Sequence, residues 1–185
     1  AQAMRLLIND VLTLSKLDES AFENDGATAI NLYAVAQRVA GRLSSFADDQ
    51  GVRVRGEGAS ACIAGSETLA EEMLYNLIEN GIRYNHEGGL VTMKVGSECV
   101  EGGLANAAYQ TVVRVSDTGP GIPAELHDKV FERFFRVDKS RSKETGGTGL
   151  GLAIVKHAVM YHGGVIEVES AEGQGTTLVL RFPSA

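Results

Sequence analysis

The sequence predicts a mostly antiparallel or mixed β-sheet covered by helices on one face. Three observations carry this. Apolar residues recur at helical spacing in four separate segments. Short apolar runs bounded by glycine turns lie between them. The order of segments is helix, helix, strands, helix, hairpin, a long irregular stretch, helix and hairpin, which suits helices packed on a sheet. The 185 residues are enough for one domain of ordinary size plus a short appendage.

The elements are taken in chain order. Leu6, Leu7, Val11, Leu14 and Leu17 form one apolar stripe, so residues 1–20 read as a helix that must pack on something outside itself. Residues 29–32 read as a short strand or a helix entry. Leu32, Val35, Ala36, Val39 and Leu43 carry a second helix to about Gln50. Residues 52–55 and 61–64 read as strands. Ser66 is an N-cap candidate for a third helix with Leu69, Met73, Leu74, Leu77 and Ile78 on its apolar face, ending near Tyr84. Residues 90–95 and 111–115 read as paired strands joined by a polar, Gly-rich connection. Residues 117–147 hold two prolines, many charges and no period; such a stretch inside a domain usually serves function, for instance as a lid. Residues 149–160 form a fourth helix, and 165–168 with 176–182 a closing hairpin.

Composition narrows the function. The chain is 44% hydrophobic and 22% charged, as soluble globular proteins are, and its net charge is -7. That charge argues against non-specific nucleic-acid binding, which needs clustered cations. It leaves phosphate binding open, because backbone N–H groups and a metal can supply positive potential. No apolar run approaches the roughly 20 residues of a membrane helix, and residues 1–7 lack a signal-peptide pattern. Cys62 and Cys99 form no CxxC pair and read as two reduced cytosolic thiols.

Two glycine clusters flank the irregular stretch. Asp117-Thr118-Gly119-Pro120-Gly121-Ile122-Pro123 follows a strand, and Gly146-Gly147-Thr148-Gly149-Leu150-Gly151-Leu152 opens a helix. Glycine admits close backbone approach, and a helix N-terminus favours phosphate. One such cluster alone is more often a tight turn; two, placed at a strand end and a helix start, resist that explanation. No Lys follows Gly151, so the second is not a Walker A loop. Nor does a βαβ unit follow, as a dinucleotide fingerprint needs. On the third helix, Asn76, Asn80 and Arg83 share one face. Asn is a poor helix former, and its amide oxygen is a hard, neutral ligand suited to Mg²⁺.

These motifs closely resemble the boxes of bacterial sensor histidine kinases, within the wider group that includes gyrase B and the mismatch-repair ATPases. Residues 76–85 resemble the N box, 117–122 the G1 box, 131–135 the F box and 147–152 the G2 box. The run Phe131-Glu132-Arg133-Phe134-Phe135-Arg136-Val137-Asp138-Lys139-Ser140 is specific to the kinases. The opening helix, ending Leu14-Ser15-Lys16-Leu17-Asp18, resembles the end of the second helix of the dimerisation and phosphotransfer domain.

The resemblance implies a two-layer α/β sandwich, the Bergerat ATP-binding fold, over residues 21–185 with a lid at about 118–147, and phosphotransfer-domain helix over 1–20. It implies a protein-histidine kinase that uses ATP and Mg²⁺. Asp117 would accept from the adenine amino group, with Gly119, Gly121 and Ile122 around it. Asn80 would bind Mg²⁺, with Asn76 nearby. Arg83 and Tyr84 would contact phosphates or ribose, and Arg136 the γ-phosphate. Gly147, Thr148, Gly149, Leu150, Gly151 and Leu152 would place helix amides at the phosphates, and Phe131 would border the site or dock the lid. Departures are mild: Gly81 stands where Ala is usual, Arg83 where Lys is commoner, and Phe135 where Tyr is frequent.

The family's phosphoacceptor is a His followed by an acid, with Pro a few residues on. His86-Glu87 and His127-Asp128 lack the Pro, and His157 and His162 lack the acid. The acceptor is therefore expected outside this chain, on the protein's own dimerisation and phosphotransfer domain, with a response-regulator receiver domain as second partner. The resemblance also implies a cytoplasmic domain of a bacterial protein, anchored to the membrane only through segments absent here. Two other readings stay open: a stand-alone ATPase or protein-serine kinase of the wider group, and a degenerate module that acts only by protein interaction.

Overall fold

A computed structural model describes residues 28–100, 108–137 and 147–185. The helix expected over residues 1–20, with the domain boundary after it, lies outside the described residues. So do 101–107 and 138–146, which include part of the expected lid.

The order is β1 (Thr28–Asn31), α1 (Leu32–Arg42), α2 (Ser44–Asp49), β2 (Arg53–Gly58), β3 (Cys62–Gly65), α3 (Glu67–Arg83), β4 (Leu90–Val100), β5 (Ala108–Asp117), α4 (Gly151–Tyr161), β6 (Val165–Ser170) and β7 (Thr176–Pro183). Two short 3-10 turns, Ala124–Leu126 and Lys129–Phe131, lie between β5 and α4. The main sheet has the order β2-β4-β5-β7-β6. Its β2–β4 pair is parallel and the others are antiparallel, so the sheet is mixed. β1 and β3 pair antiparallel in a separate ribbon.

Alternation along the strands decides which face the helices cover. Val91, Met93 and Val95 of β4, Val113 and Val115 of β5, and Leu178, Leu180 and Phe182 of β7 point into one core. Val35 and Val39 of α1, Met73, Leu74, Leu77 and Ile78 of α3, and Val155 and Val159 of α4 meet them. Each large aliphatic side chain so buried contributes about 1.5–3 kcal/mol. On the opposite face Arg114 pairs with Glu98 at 2.6 Å and Arg181 with Glu167 at 2.5 Å. This is the two-layer α/β sandwich, with helices on one face.

Several boundaries differ from the sequence expectation, and three have a plain physical reason. The helix expected to run to Gln50 breaks at Leu43 into α1 and α2; Gly41, a weak helix former, sits just before the break. β4 runs on past Val95 through the polar residues 96–99, because its register with β5 continues Gly96↔Val112, Ser97↔Thr111 and Glu98↔Gln110. Ladder hydrogen bonds, rather than apolar alternation, define that part of the strand. α4 starts at Gly151 instead of 149, since Gly149 has φ +74 and stays in the loop.

Ser66 caps α3 as expected, accepting from the Leu69 N–H at 3.4 Å. A further clamp lies beside it. His162, at the end of α4, is buried. Its Nδ1 lies 2.7 Å from the Ala158 carbonyl, which can only accept, so Nδ1 carries the proton. Nε2 lies 3.2 Å from both the Ser66 N–H and the Ser66 carbonyl, and in the neutral ring it accepts from the N–H. The ring thus joins the start of α3 to the end of α4, the two helices that hold the site. Gly65 makes room for it: with φ +145, a Cβ there would stand 2.3 Å from His162 Cδ2. Gly65→Ala is expected to cost about 2 kcal/mol or more, from backbone strain plus the collision. Urea unfolding reads this directly, and an unchanged midpoint would contradict the clamp.

Candidate functional site

A cleft of about 600 Å³ opens between α3, the end of β5 and the start of α4. Asn76, Asn80, Arg83, Tyr84, Asp117, Gly121, Ile122, Arg136, Gly147, Thr148, Gly149, Gly151 and Leu152 all line it. The helical face read from the sequence and both glycine clusters therefore meet in one place. Three of the proposed residues do not line it. Gly119 is buried behind the wall. Leu150 is fully buried against Ile154. Phe131 packs on the core, with Lys156 Nζ 5.8 Å from its ring centroid. Its position serves to anchor the polar segment on α4 rather than to face the cleft.

At one end of the cleft Asp117 closes β5. Its Oδ1 accepts from the Gly119 N–H at 2.8 Å and the Thr176 N–H at 3.3 Å. Both protein donors use the same oxygen, which leaves Oδ2 for a donor in the cleft. Burial pushes the carboxyl above its ordinary value, and the two N–H bonds work against that rise. Glycines hold this corner together. A Cβ on Gly119 would lie 2.8 Å from the Tyr84 carbonyl, and one on Gly121 (φ +74) 2.0 Å from the Ala171 carbonyl. A side chain at either position would push the loop off the wall.

At the other end α4 begins. α1 is capped by Asn31 and α3 by Ser66, but α4 has no side-chain cap and no acid in its first turn. Its first N–H groups and the positive end of its dipole are available to an anion. Gly151 sets this helix start against α3: a Cβ there would be 2.8 Å from Asn76 Oδ1 and 3.4 Å from Asn80 Nδ2. Asn76 donates through Nδ2 to the Glu72 carbonyl at 2.9 Å, so its Oδ1 is the atom turned outward. Around Gly147 stand the Tyr84 hydroxyl, Arg136 Nη2 and Arg83 Cδ, at 2.9, 3.8 and 3.9 Å from the position of a Cβ. Arg136 Nη1 donates to the Gly147 carbonyl, and the Phe134 N–H to Gly149 O at 2.9 Å. The segment after Phe131 is thereby tied to the loop before α4. Two guanidiniums and a free helix N-terminus thus gather at this end of an otherwise acidic chain.

Among the described residues no group of three or more His, Cys, Asp and Glu is placed to hold a metal ion. His162, His127 and His86 each lie against a backbone carbonyl. His162 is the clamp above, His127 donates through Nε2 to the Ile122 carbonyl at 3.0 Å, and exposed His86 lies 3.0 Å from the Glu87 carbonyl. His157 sits on α4, on the turn that precedes the clamp.

Sequence reading missed three parts of the site. Gly175, between β6 and β7, and Thr176, the first residue of β7, complete the Asp117 corner; a Cβ on Gly175 would stand 2.1 Å from the Asp117 carbonyl. Ser170 accepts from the Ile122 N–H and donates to the Gly175 carbonyl, both at 2.8 Å. Glu79 also lines the cleft. The available signal was the third glycine cluster, Gly173-Gln174-Gly175-Thr176.

The pKa of Asp117 yields a stability prediction. A carboxyl raised in the folded state contributes stability below its unfolded pKa, near 3.8, and loses it as pH rises through the raised value. Asp117→Asn carries no charge to desolvate and keeps an oxygen for both N–H donors. Without nucleotide, this variant is expected to match or exceed the parent in stability at pH 7. The difference should shrink as pH falls towards 3.8. Urea midpoints of the two proteins across that range check it, and a difference constant with pH would refute it.

Comparison with known proteins agrees with this geometry. Residues 65–185 match the family model described as histidine kinase-, DNA gyrase B-, and HSP90-like ATPase. The chain is 37% identical over 183 residues to the sensor protein IrlS of Burkholderia pseudomallei, covering 99% of this chain and 37% of that protein. It is 34% identical to the sensor histidine kinase WalK of Bacillus subtilis, covering 98% of this chain and 29% of that protein. The chain thus spans well under half the length of these relatives. Among solved structures it resembles the mycobacterial sensor histidine kinase MprB, with a TM-score of 0.70 and 26% identity over 85% of this chain and 97% of that one. It also resembles full-length ShkA in complex with AMPPNP, with a TM-score of 0.76 and 27% identity over 97% of this chain and 35% of that one. The chain belongs to the family of histidine kinase-, DNA gyrase B- and HSP90-like ATPases.

Proposed function

We propose that this chain is the ATP-binding catalytic domain of a two-component sensor histidine kinase. It binds Mg·ATP and passes the γ-phosphoryl group to a histidine outside residues 1–185, for relay to an aspartate on a response regulator. The observation that carries this reading is the opposition, across one cleft, of Asp117 Oδ2 and the uncapped start of α4. One end takes an amine donor and the other an anion, as adenine and polyphosphate require. The run beginning Phe131-Glu132-Arg133-Phe134-Phe135-Arg136 and the printed names of the relatives favour the kinases over other members of the family.

The roles are those the resemblance implies, and the lining of the cleft supports most of them. Asp117 accepts from the adenine amino group, with Gly119, Gly121 and Ile122 shaping the wall. The amides of Gly147, Thr148, Gly149, Leu150, Gly151 and Leu152 surround the phosphate end. Arg83, Tyr84 and Arg136 contact phosphates or ribose. Asn80, with Asn76 beside it, holds Mg²⁺, which neutralises phosphate charge when bound. Phosphoryl transfer asks a protein for positioning and charge neutralisation rather than covalent chemistry. The domain supplies these; the acceptor imidazole and its neighbouring acid belong to the protein's own dimerisation and phosphotransfer domain. In the intact homodimer this domain sits on the cytoplasmic side of a membrane-anchored protein. Among the described residues no helix is long and apolar enough to cross a membrane.

Mixing the chain with a matching, separate dimeric phosphotransfer domain and labelled ATP tests the reading. The added domain should become labelled, with an acid-labile and alkali-stable phosphoramidate. Without a tether the rate should be low and rise with concentration of the added domain. The chain alone should stay unlabelled; label traced to His86 or His127 would overturn the assignment. Asn80→Ala should keep the fold, since Ala is the better helix former, and lose metal-dependent binding. Full Mg²⁺ dependence in that variant would remove Asn80 from the metal site.

A further inference from the structure

Glu79 lies on the cleft wall beside the groups assigned to nucleotide, and nothing above uses it. It pairs with Arg83, four residues on along α3, and each side chain of the pair is only 19% exposed. Glu preceding its cation by four residues is the favourable order on a helix. The Arg83 guanidinium also stands over the Phe46 ring, 5.4 Å from its centroid. An aromatic face and a carboxylate therefore hold it, while its stem reaches the Gly147 loop where phosphate is placed. Arg136, the second guanidinium at that end, is engaged by the Gly147 carbonyl.

We propose that Glu79 is an intramolecular competitor for nucleotide phosphate, holding the Arg83 guanidinium so that a polyphosphate must take it over by partner exchange. The inference rests on the nucleotide reading of the cleft and adds a specificity-determining residue to it. A phosphate group brings more charge and more acceptor oxygens than a carboxylate, and guanidinium binds both as a fork. The exchange is therefore possible, but it is not free. It breaks a half-buried charge-assisted bond and leaves the Glu79 carboxylate beside a like-charged phosphate. Glu79 thus holds the affinity for ATP below what Arg83 alone would give. It also makes that affinity depend on the phosphates rather than on the nucleoside.

Two measurements on the chain test this. The first compares the binding of ATP and of adenosine, which has the base and ribose but no phosphate, to the parent and to Glu79→Gln. The variant keeps size and helix propensity and removes the charge. ATP should bind the variant tighter by roughly 3- to 10-fold, the range of one net hydrogen bond, with the adenosine affinity unchanged. Equal or weaker ATP binding, or an equal gain for adenosine, overturns the proposal. A merely structural helix pair would lower the unfolding midpoint without separating the two ligands. The second needs no variant: the side-chain ¹⁵N resonances of Arg83 in the parent should shift on adding ATP and stay in place on adding adenosine. Identical Arg83 spectra with both ligands overturn it. If the parent binds neither ligand, the nucleotide reading fails and takes this inference with it. If it binds both while Glu79→Gln changes nothing, only the inference fails.

Discussion

Helix α3 lies close against the sheet: an added methyl at Gly81 would need the Val91 side chain to give by a few tenths of an ångström. Gly81 faces β4, and a Cβ there would stand 3.1 and 3.2 Å from the two Val91 methyls and 3.7 Å from the Cβ of Asp117. Glycine inside a helix costs about 1 kcal/mol relative to alanine. Here that cost accompanies a close approach of helix to strand. The approach sets Asn76, Asn80 and Arg83 across from Asp117, and α4 then packs on α3 through Gly151. Every distance in the cleft depends on this seating. His162 reinforces it from the far side by joining the start of α3 to the end of α4.

The polar groups of the site are held in ways that oppose stability. Asp117 is a carboxylate whose burial raises its pKa, and only two backbone N–H groups compensate. α4 begins without the cap that α1 and α3 both have. Arg83 and Glu79 are drawn out of water as a pair. Each arrangement is poorer for the protein alone than an apolar or capped alternative. In the proposed function each would be relieved by one part of a nucleotide: an amine donor for Asp117, phosphate for the α4 amides, and phosphate in place of Glu79 on Arg83. A fold that leaves such groups at one cleft is shaped by its ligand.

Much of this was legible from local pattern. The apolar spacing of Leu69, Met73, Leu74, Leu77 and Ile78 declared α3 and its buried face, and Ser66 declared its start. The same spacing put Asn76, Asn80 and Arg83 together. The two glycine clusters marked where backbone lines the cleft. Where local signals conflicted, the reading slipped by a few residues. Gly96 and the polar residues after it hid the part of β4 beyond Val95, whose backbone stays paired with β5. Of the two readings for Phe131, bordering the site or docking the polar segment, the structure bears out the docking: it packs on the core under Lys156.

Among the described residues the sequence by itself determined the helices, most strands, the fold class and the residues that meet at the two ends of the cleft, because periodicity, capping and glycine chemistry are written within a few residues of one another. Only the tertiary structure decided that β2 runs parallel to β4, that Thr176 and Gly175 complete the Asp117 corner, that Gly65 makes room for His162, and that Glu79 occupies Arg83. The Thr176 N–H reaches Asp117 from 59 residues away, and the Ser66 N–H reaches His162 from 96. Contacts at such separations arise from how packed layers meet, and a single sequence carries no local periodicity that records them.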